Sequence, residues 1–302
     1  MGQRVAVSGG SFDNLDGHIS IFEVVDGVLK FEEEYCIEHP LAHESQCGKG
    51  ITGLVYDRIC NSFWACFSNC IVKYELNSKE IVEVIFDNRF NDLHDLFMHG
   101  GNLVTVNTGN ESIDTINVQT KEITRIDFLG SDLRKRTPDV TNYSSTKPHL
   151  HHISSARYNQ SNELIVGFFK QQRVINIDNW SQIGIRMDSP VHDIQIIDGE
   201  VFWTTVSGKV YSSKSHKPIL DLKKHCNSIG WTRGLFISPD YFLIGLTSIR
   251  ETNSNFFNIL TGENVVSNSA KIIVYNRIKE QISMELVLNR PKSTKIYSII
   301  SI

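Results

Sequence analysis

One short phrase recurs along this chain: an apolar residue, two variable positions, a second apolar residue, then a turn and another β-rich run. Its copies are Ile51-Thr52-Gly53-Leu54, Leu93-His94-Asp95-Leu96, Leu150-His151-His152-Ile153, Val191-His192-Asp193-Ile194, Thr232-Arg233-Gly234-Leu235 and Ile296-Tyr297-Ser298-Ile299. They are spaced about 40 to 60 residues apart, the length of one four-stranded propeller blade with variable loops. A repeat of this period leaves few architectures open, because each unit buries its apolar face only by stacking on the next.

The second copy shows the unit in full. Leu93 to His99 reads as a strand, Gly100-Gly101 as a turn, and Asn102 to Thr108, Ser112 to Val118 and Glu122 to Phe128 as three further strands. Apolar and polar residues alternate through each, the signature of antiparallel strands packed face to face. Lys295 to Ile302 supplies a single strand before the chain stops, and Val5 to Ser8, His18 to Val24 and Val28 to Tyr35 supply the three that are missing. The expected fold is therefore an all-β, six-bladed β-propeller spanning 1–302 as one domain. One C-terminal and three N-terminal strands close its last blade, which removes the open sheet edges. The segments 129–147 and 251–269 are polar and rich in Ser, Thr and Asn, and read as loops over a face. No stretch has convincing amphipathic helix periodicity.

Composition excludes several partners. With 30 Lys and Arg against 34 Asp and Glu, the net charge is −4, which argues against a nucleic-acid or anionic-membrane surface, since these require clustered cations. The dense basic run Arg134-Lys135-Arg136 lies in a polar loop. No apolar run reaches transmembrane length, and Met1-Gly2-Gln3-Arg4-Val5 leads directly into a strand pattern without a signal-peptide n-region. The six cysteines form neither a close-spaced disulfide framework nor a paired C-x-x-C zinc pattern. Cys66 and Cys70 read as small core residues, and the chain as cytoplasmic with reduced thiols. Walker, Rossmann, nucleophile-elbow and EF-hand motifs are absent.

The first strand of each propeller blade lines the central channel, so the copies in register place Thr52, His94, His151, His192, Arg233 and Tyr297 at one height. Three histidines on consecutive blades suit a divalent transition metal, most plausibly zinc, with an open position for catalysis. In that reading His94, His151 and His192 hold the ion, Tyr297 moves a proton and Arg233 anchors an anionic group. Thr52, Asn107, Arg250 and Glu251 are further candidates to line a substrate site. A one-residue slip would substitute His149 or His152 for His151. Asp95 and Asp193 point away from their histidines and would cap turns or buttress neighbouring blades. The expected activity is lyase or isomerase chemistry on a small polar or anionic substrate. The alternative is a non-catalytic propeller that binds a protein or glycan through its loops, with Phe256-Phe257 in an exposed patch.

The phrases LHDLFMHGGNLVTVNT (93–108) and GWTRGLFISPDYFLIGLTSIRE (230–251) resemble those of a bacterial propeller family without an assigned activity, which implies the same fold from about residue 50 onward. The histidine, Tyr and Arg pattern is loosely similar to the zinc centre of the six-bladed peptidyl-hydroxyglycine lyases. That likeness implies a zinc ion at His94, His151 and His192, although the disulfides usual in that secreted family are missing here.

Overall fold

Alternation of side chains across each strand drives the assembly: both faces of every sheet carry apolar residues, and each must be covered by a neighbouring sheet. In the computed structural model, which describes residues 2–12, 14–41, 49–128, 150–226, 229–249, 251–262, 269–288 and 294–302, this gives six four-stranded antiparallel sheets. Their innermost strands are Gly53–Asp57, Leu93–His99, Ile153–Tyr158, Val191–Ile197, Trp231–Ile237 and Lys295–Ser301, in blades numbered one to six. These strands pack side by side in a closed ring, blade six against blade one. Buried apolar residues fall into six clusters, one at each interface between blades.

The sixth blade closes as expected: its sheet runs Lys295–Ser301, Gln3–Gly10, Gly17–Val25, Val28–Ile37. Val5 pairs with Ser301, and the Ile302 amide donates to the Arg4 carbonyl oxygen at 3.2 Å. Cys66 and Cys70 are fully buried and unoxidised, and burial pushes the Cys66 thiol up to about 12. No helix among the described residues is long and apolar enough to cross a membrane.

Two expectations need correction. Part of 251–269 is not a loop: Glu251–Thr261 forms a helix, α1, between the second and third strands of blade five. Its anchor is Phe257, which is fully buried, while Phe256 and Ile259 face outward; with one buried residue among the described side chains of so polar a segment, no helical period shows. The third copy of the repeat is also displaced. The blade-three inner strand starts at Ile153, and Ile153-Ser154-Ser155-Ala156, not Leu150-His151-His152-Ile153, is the equivalent of Leu93-His94-Asp95-Leu96. Hydrogen bonds between blades fix this register: the Thr52 hydroxyl donates to the Leu93 carbonyl, and the Ser154 hydroxyl donates in the same way to that of Val191. The segment 129–147 lies outside the described residues.

Candidate functional site

A β-bulge recurs at the top of the inner strands. Strand pairing skips His94 in blade two, Ser154 in blade three, Asp193 in blade four, Arg233 with Gly234 in blade five and Tyr297 in blade six. Bulges re-aim side chains and end pairing, and here they surround the channel. The ring is therefore Thr52, His94, Ser154, His192, Arg233 and Tyr297, with a serine where the sequence placed His151.

His151 lies elsewhere: its Nδ1 is 2.8 Å from Gln171 Nε2 and its ring is edge-on to Phe168. The alternate, His152, is the one that joins the cluster, two residues ahead of Ser154 and with φ of 50°. Its ring centroid is 5.3 Å from that of His94, and His94 is 6.1 Å from His192. The buried Glu111 carboxylate sets this turn by accepting from the His151 and His152 amides at 3.0–3.2 Å. His149 falls outside the described residues.

The two ring histidines are built alike. His94 Nδ1 lies 3.2 Å from both the carbonyl and a carboxylate oxygen of Asp92, and His192 Nδ1 lies 3.1 Å from Asp193 Oδ2. Oxygens of this kind only accept, so Nδ1 carries the proton in each and Nε2 keeps its lone pair. Both Nε2 atoms are buried without a hydrogen-bond partner. Burial pushes the His94 imidazole down to about 4, against the opposing pull of Asp92. Burial also lowers His192, with Asp193 pulling it up and Arg233 pushing it down. Burial disfavours charge on Asp92 too, but Lys49, which pairs with it, and His94 outweigh this and hold the carboxyl well below its ordinary value. Each imidazole is thus a neutral base pinned by a carboxylate.

Beside them opens a cavity of about 500 Å³, lined by Arg233 and Tyr297 from the ring and by Lys49, Lys295, Trp231 and Phe256 among others. No carboxylate lines it among the described residues. The Arg233 guanidinium lies over the Tyr297 ring at 4.8 Å and near Trp231 at 5.9 Å, and its Nη1 is buried with no hydrogen-bond partner. Arg233 is close enough to lower both His94 and His192 electrostatically, which ties the cavity to the imidazoles. A larger cavity of about 640 Å³ at the outer side of blades four and five mixes acids and bases and is remote from the ring residues.

Other expected site residues are taken up by the fold. Thr52 Oγ1 donates to Leu93 O at 2.6 Å. Asn107 is fully buried, donating to Arg89 O and Asp114 Oδ2 and accepting from the Asn91 amide. Arg250 lies outside the described residues; Glu251 opens α1, and its side chain lies outside them as well. Lys49, Lys295 and Trp231 were not read as site residues. The signal was available for the last two, because each stands two residues before a ring position and so shares its face of the strand. Among the described residues no three His, Cys, Asp or Glu side chains are grouped to hold a metal ion. Ser154 occupies the ring position where the three-histidine zinc set put His151.

No protein family matches the sequence, and no curated protein matches it. Solved structures match over the whole chain. A protein of unknown function from Bacteroides caccae is 12% identical with a TM-score of 0.68, covering 100% of this chain and 99% of the other. A chain of the nidogen/laminin complex is 8% identical with a TM-score of 0.59, covering 98% and 97%. A candidate 6-phosphogluconolactonase from Bacteroides fragilis is 12% identical with a TM-score of 0.56, covering 100% and 98%. At these identities the likeness is one of fold. It agrees with the resemblance to bacterial propellers without assigned activity, and nothing in it supports the likeness to a lyase zinc centre.

Proposed function

We propose that this propeller is an enzyme that binds a small anionic substrate at the channel mouth and moves a proton on it, in lyase or isomerase chemistry. The observation that carries the reading is Arg233: a guanidinium with a buried, unpartnered Nη1, lying over the Tyr297 ring, in a cavity with no carboxylate among its described lining residues, and coupled electrostatically to two neutral imidazoles. A guanidinium stacked on an aromatic face keeps its charge and its fork of donors available for a carboxylate or phosphate. Lys295 adds positive potential to the same cavity, while the charge of Lys49 is offset by Asp92.

The imidazoles supply the second half of the argument. A neutral histidine whose Nδ1–H is fixed by a carboxylate presents Nε2 as a base in a defined direction. In the step we propose, a C–H bond next to a ketone that adjoins the substrate's carboxylate breaks and a new N–H bond forms at Nε2 of His94 or His192. The electron pair stays on the substrate as an enolate, and Arg233 offsets its charge. Asp92 and Asp193 position the rings, and Tyr297 positions Arg233. No step requires a metal ion.

The reading is tested with 2-oxobutyrate and phenylpyruvate as probes, following exchange of the C3 protons in D2O by NMR. Exchange above the protein-free rate is expected in the wild type and lost in His94→Gln and His192→Gln. Arg233→Met should weaken binding about 10- to 100-fold, the value of a charged hydrogen bond, without changing the melting temperature. Background exchange together with no binding of either acid would sink the proposal.

A further inference from the structure

The lining of the same cavity says more about the body of the ligand. We infer that the substrate is an aromatic acid, its ring stacking on a wall formed by Trp231 and Phe256 while its anionic group meets Arg233. This rests on the anion-binding reading above and adds the substrate class to it.

Aromatic residues dominate the lining: Phe12, Trp231, Phe256, Phe257 and Tyr297 make five of the eleven residues around the cavity. They are not scattered. Trp231 stands in a stack, with Phe169 on one side at 6.0 Å and 10° between planes and Phe256 at 6.2 Å and 22°. Phe169 leads on to His152 at 4.5 Å and so to the histidine cluster. The stack is buried at its inner end and open at the outer one, for Phe169 is 8% exposed and Phe256 is 55% exposed. The exposed ring belongs to α1, whose neighbouring Phe257 is fully buried against Trp231 at 6.1 Å. A fixed anchor therefore holds an uncovered aromatic face beside the cationic group.

A wall of this kind distinguishes ligands by their π-system, since aromatic pairs gain about 0.5–1.5 kcal/mol beyond area burial.

Benzoate and cyclohexanecarboxylate make a matched test, with the same carbon count and charge but only one aromatic ring. Ligand-observed NMR titration should show benzoate binding about 3- to 10-fold more tightly to the wild-type protein, with quenching of tryptophan fluorescence. Phe256→Ala, at an exposed position that the fold does not need, should bring benzoate down to the level of cyclohexanecarboxylate. Arg233→Met should weaken both acids. Equal, Arg233-dependent binding of the two acids by the wild type would overturn the aromatic inference and leave the anion reading standing. A benzoate preference that survives Phe256→Ala would also overturn it. Binding of neither acid would sink both readings.

Discussion

A neutral buried histidine is a stability statement as well as a chemical one. His94 is lowered from 6.5 to about 4 because burial disfavours its cation. Between those values the unfolded chain binds a proton that the native protein refuses, so the native state is favoured more strongly as pH rises. The contribution is fully present above pH 6.5 and is lost as pH falls toward about 4. A shift of this size corresponds to about 3 kcal/mol, and His192 acts in the same direction. Melting temperatures measured from pH 7.5 to 4.5 should fall steeply below pH 6.5, and His94→Gln should flatten that slope. An unchanged slope in the variant would show that His94 is not the group responsible. The ring position of His94, His192, Arg233 and Tyr297 was legible in the sequence, because the apolar spacing of the phrase sets the register of the inner strands. Ser154 was not, because the two histidines two and three residues upstream fitted the same apolar spacing. The pairing of each Nδ1 with a carboxylate is a matter of rotamer and bulge geometry, which spacing does not carry.

Strands were legible at the level of elements because their period of two is imposed by a sheet with one face on each neighbour; α1 was not, since among its described side chains only Phe257 is buried. The residue after each ring position has a role that the sequence hinted at. Asp95 reaches from blade two to blade three, accepting from Ser155 Oγ at 2.6 Å, Ala156 N at 3.3 Å and Arg157 Nη1 at 2.5 Å. Ser155 Oγ in turn accepts from Ile194 N in blade four, and Asp193 Oδ2 accepts from Gly234 N in blade five. These side chains lock adjacent inner strands together where no backbone ladder joins them. Removing the Asp95 carboxylate takes this acceptor from the Ser155 hydroxyl and the Ala156 amide and leaves Arg157 Nη1 with the Ala156 carbonyl alone, so Asp95→Ala should cost about 2–4 kcal/mol in urea unfolding. Glu111→Ala should cost about 1–3 kcal/mol by the same logic, since two backbone amides lose their acceptor, and it should release His152 from His94. Anion affinity at Arg233 should survive Asp95→Ala; if it falls in proportion to stability, the clamp and the site are one cooperative unit.

The whole molecule depends on a closed ring of blades. Blade six is joined by pairing alone: Gln3–Gly10 lies between Lys295–Ser301 and Gly17–Val25, and no covalent link crosses the first of these seams. Truncation after residue 294 would uncover the full edge of Gln3–Gly10 and remove Tyr297 from beneath Arg233. An uncovered apolar edge strand recruits other chains, so the truncated protein should elute as aggregates in size exclusion. The same geometry shows how the seam can be moved without loss. Ile302 lies against Arg4, close enough for its amide to donate to that carbonyl, and the two strands are antiparallel, so a linker of a few residues turns the seam into a hairpin. New ends fit between Gly100 and Gly101, in an open turn where both glycines have positive φ and an added Cβ would meet nothing within 4 Å. The permuted chain is then closed by its second blade instead of its sixth. It should fold as a monodisperse species, melt within a few degrees of the parent and keep the affinity for benzoate. If the permutant aggregates as the truncated chain does, sequence order rather than ring closure governs the fold. If it folds and binds, closure of the ring suffices, and the site belongs to the circle of blades and not to the place where the chain happens to end.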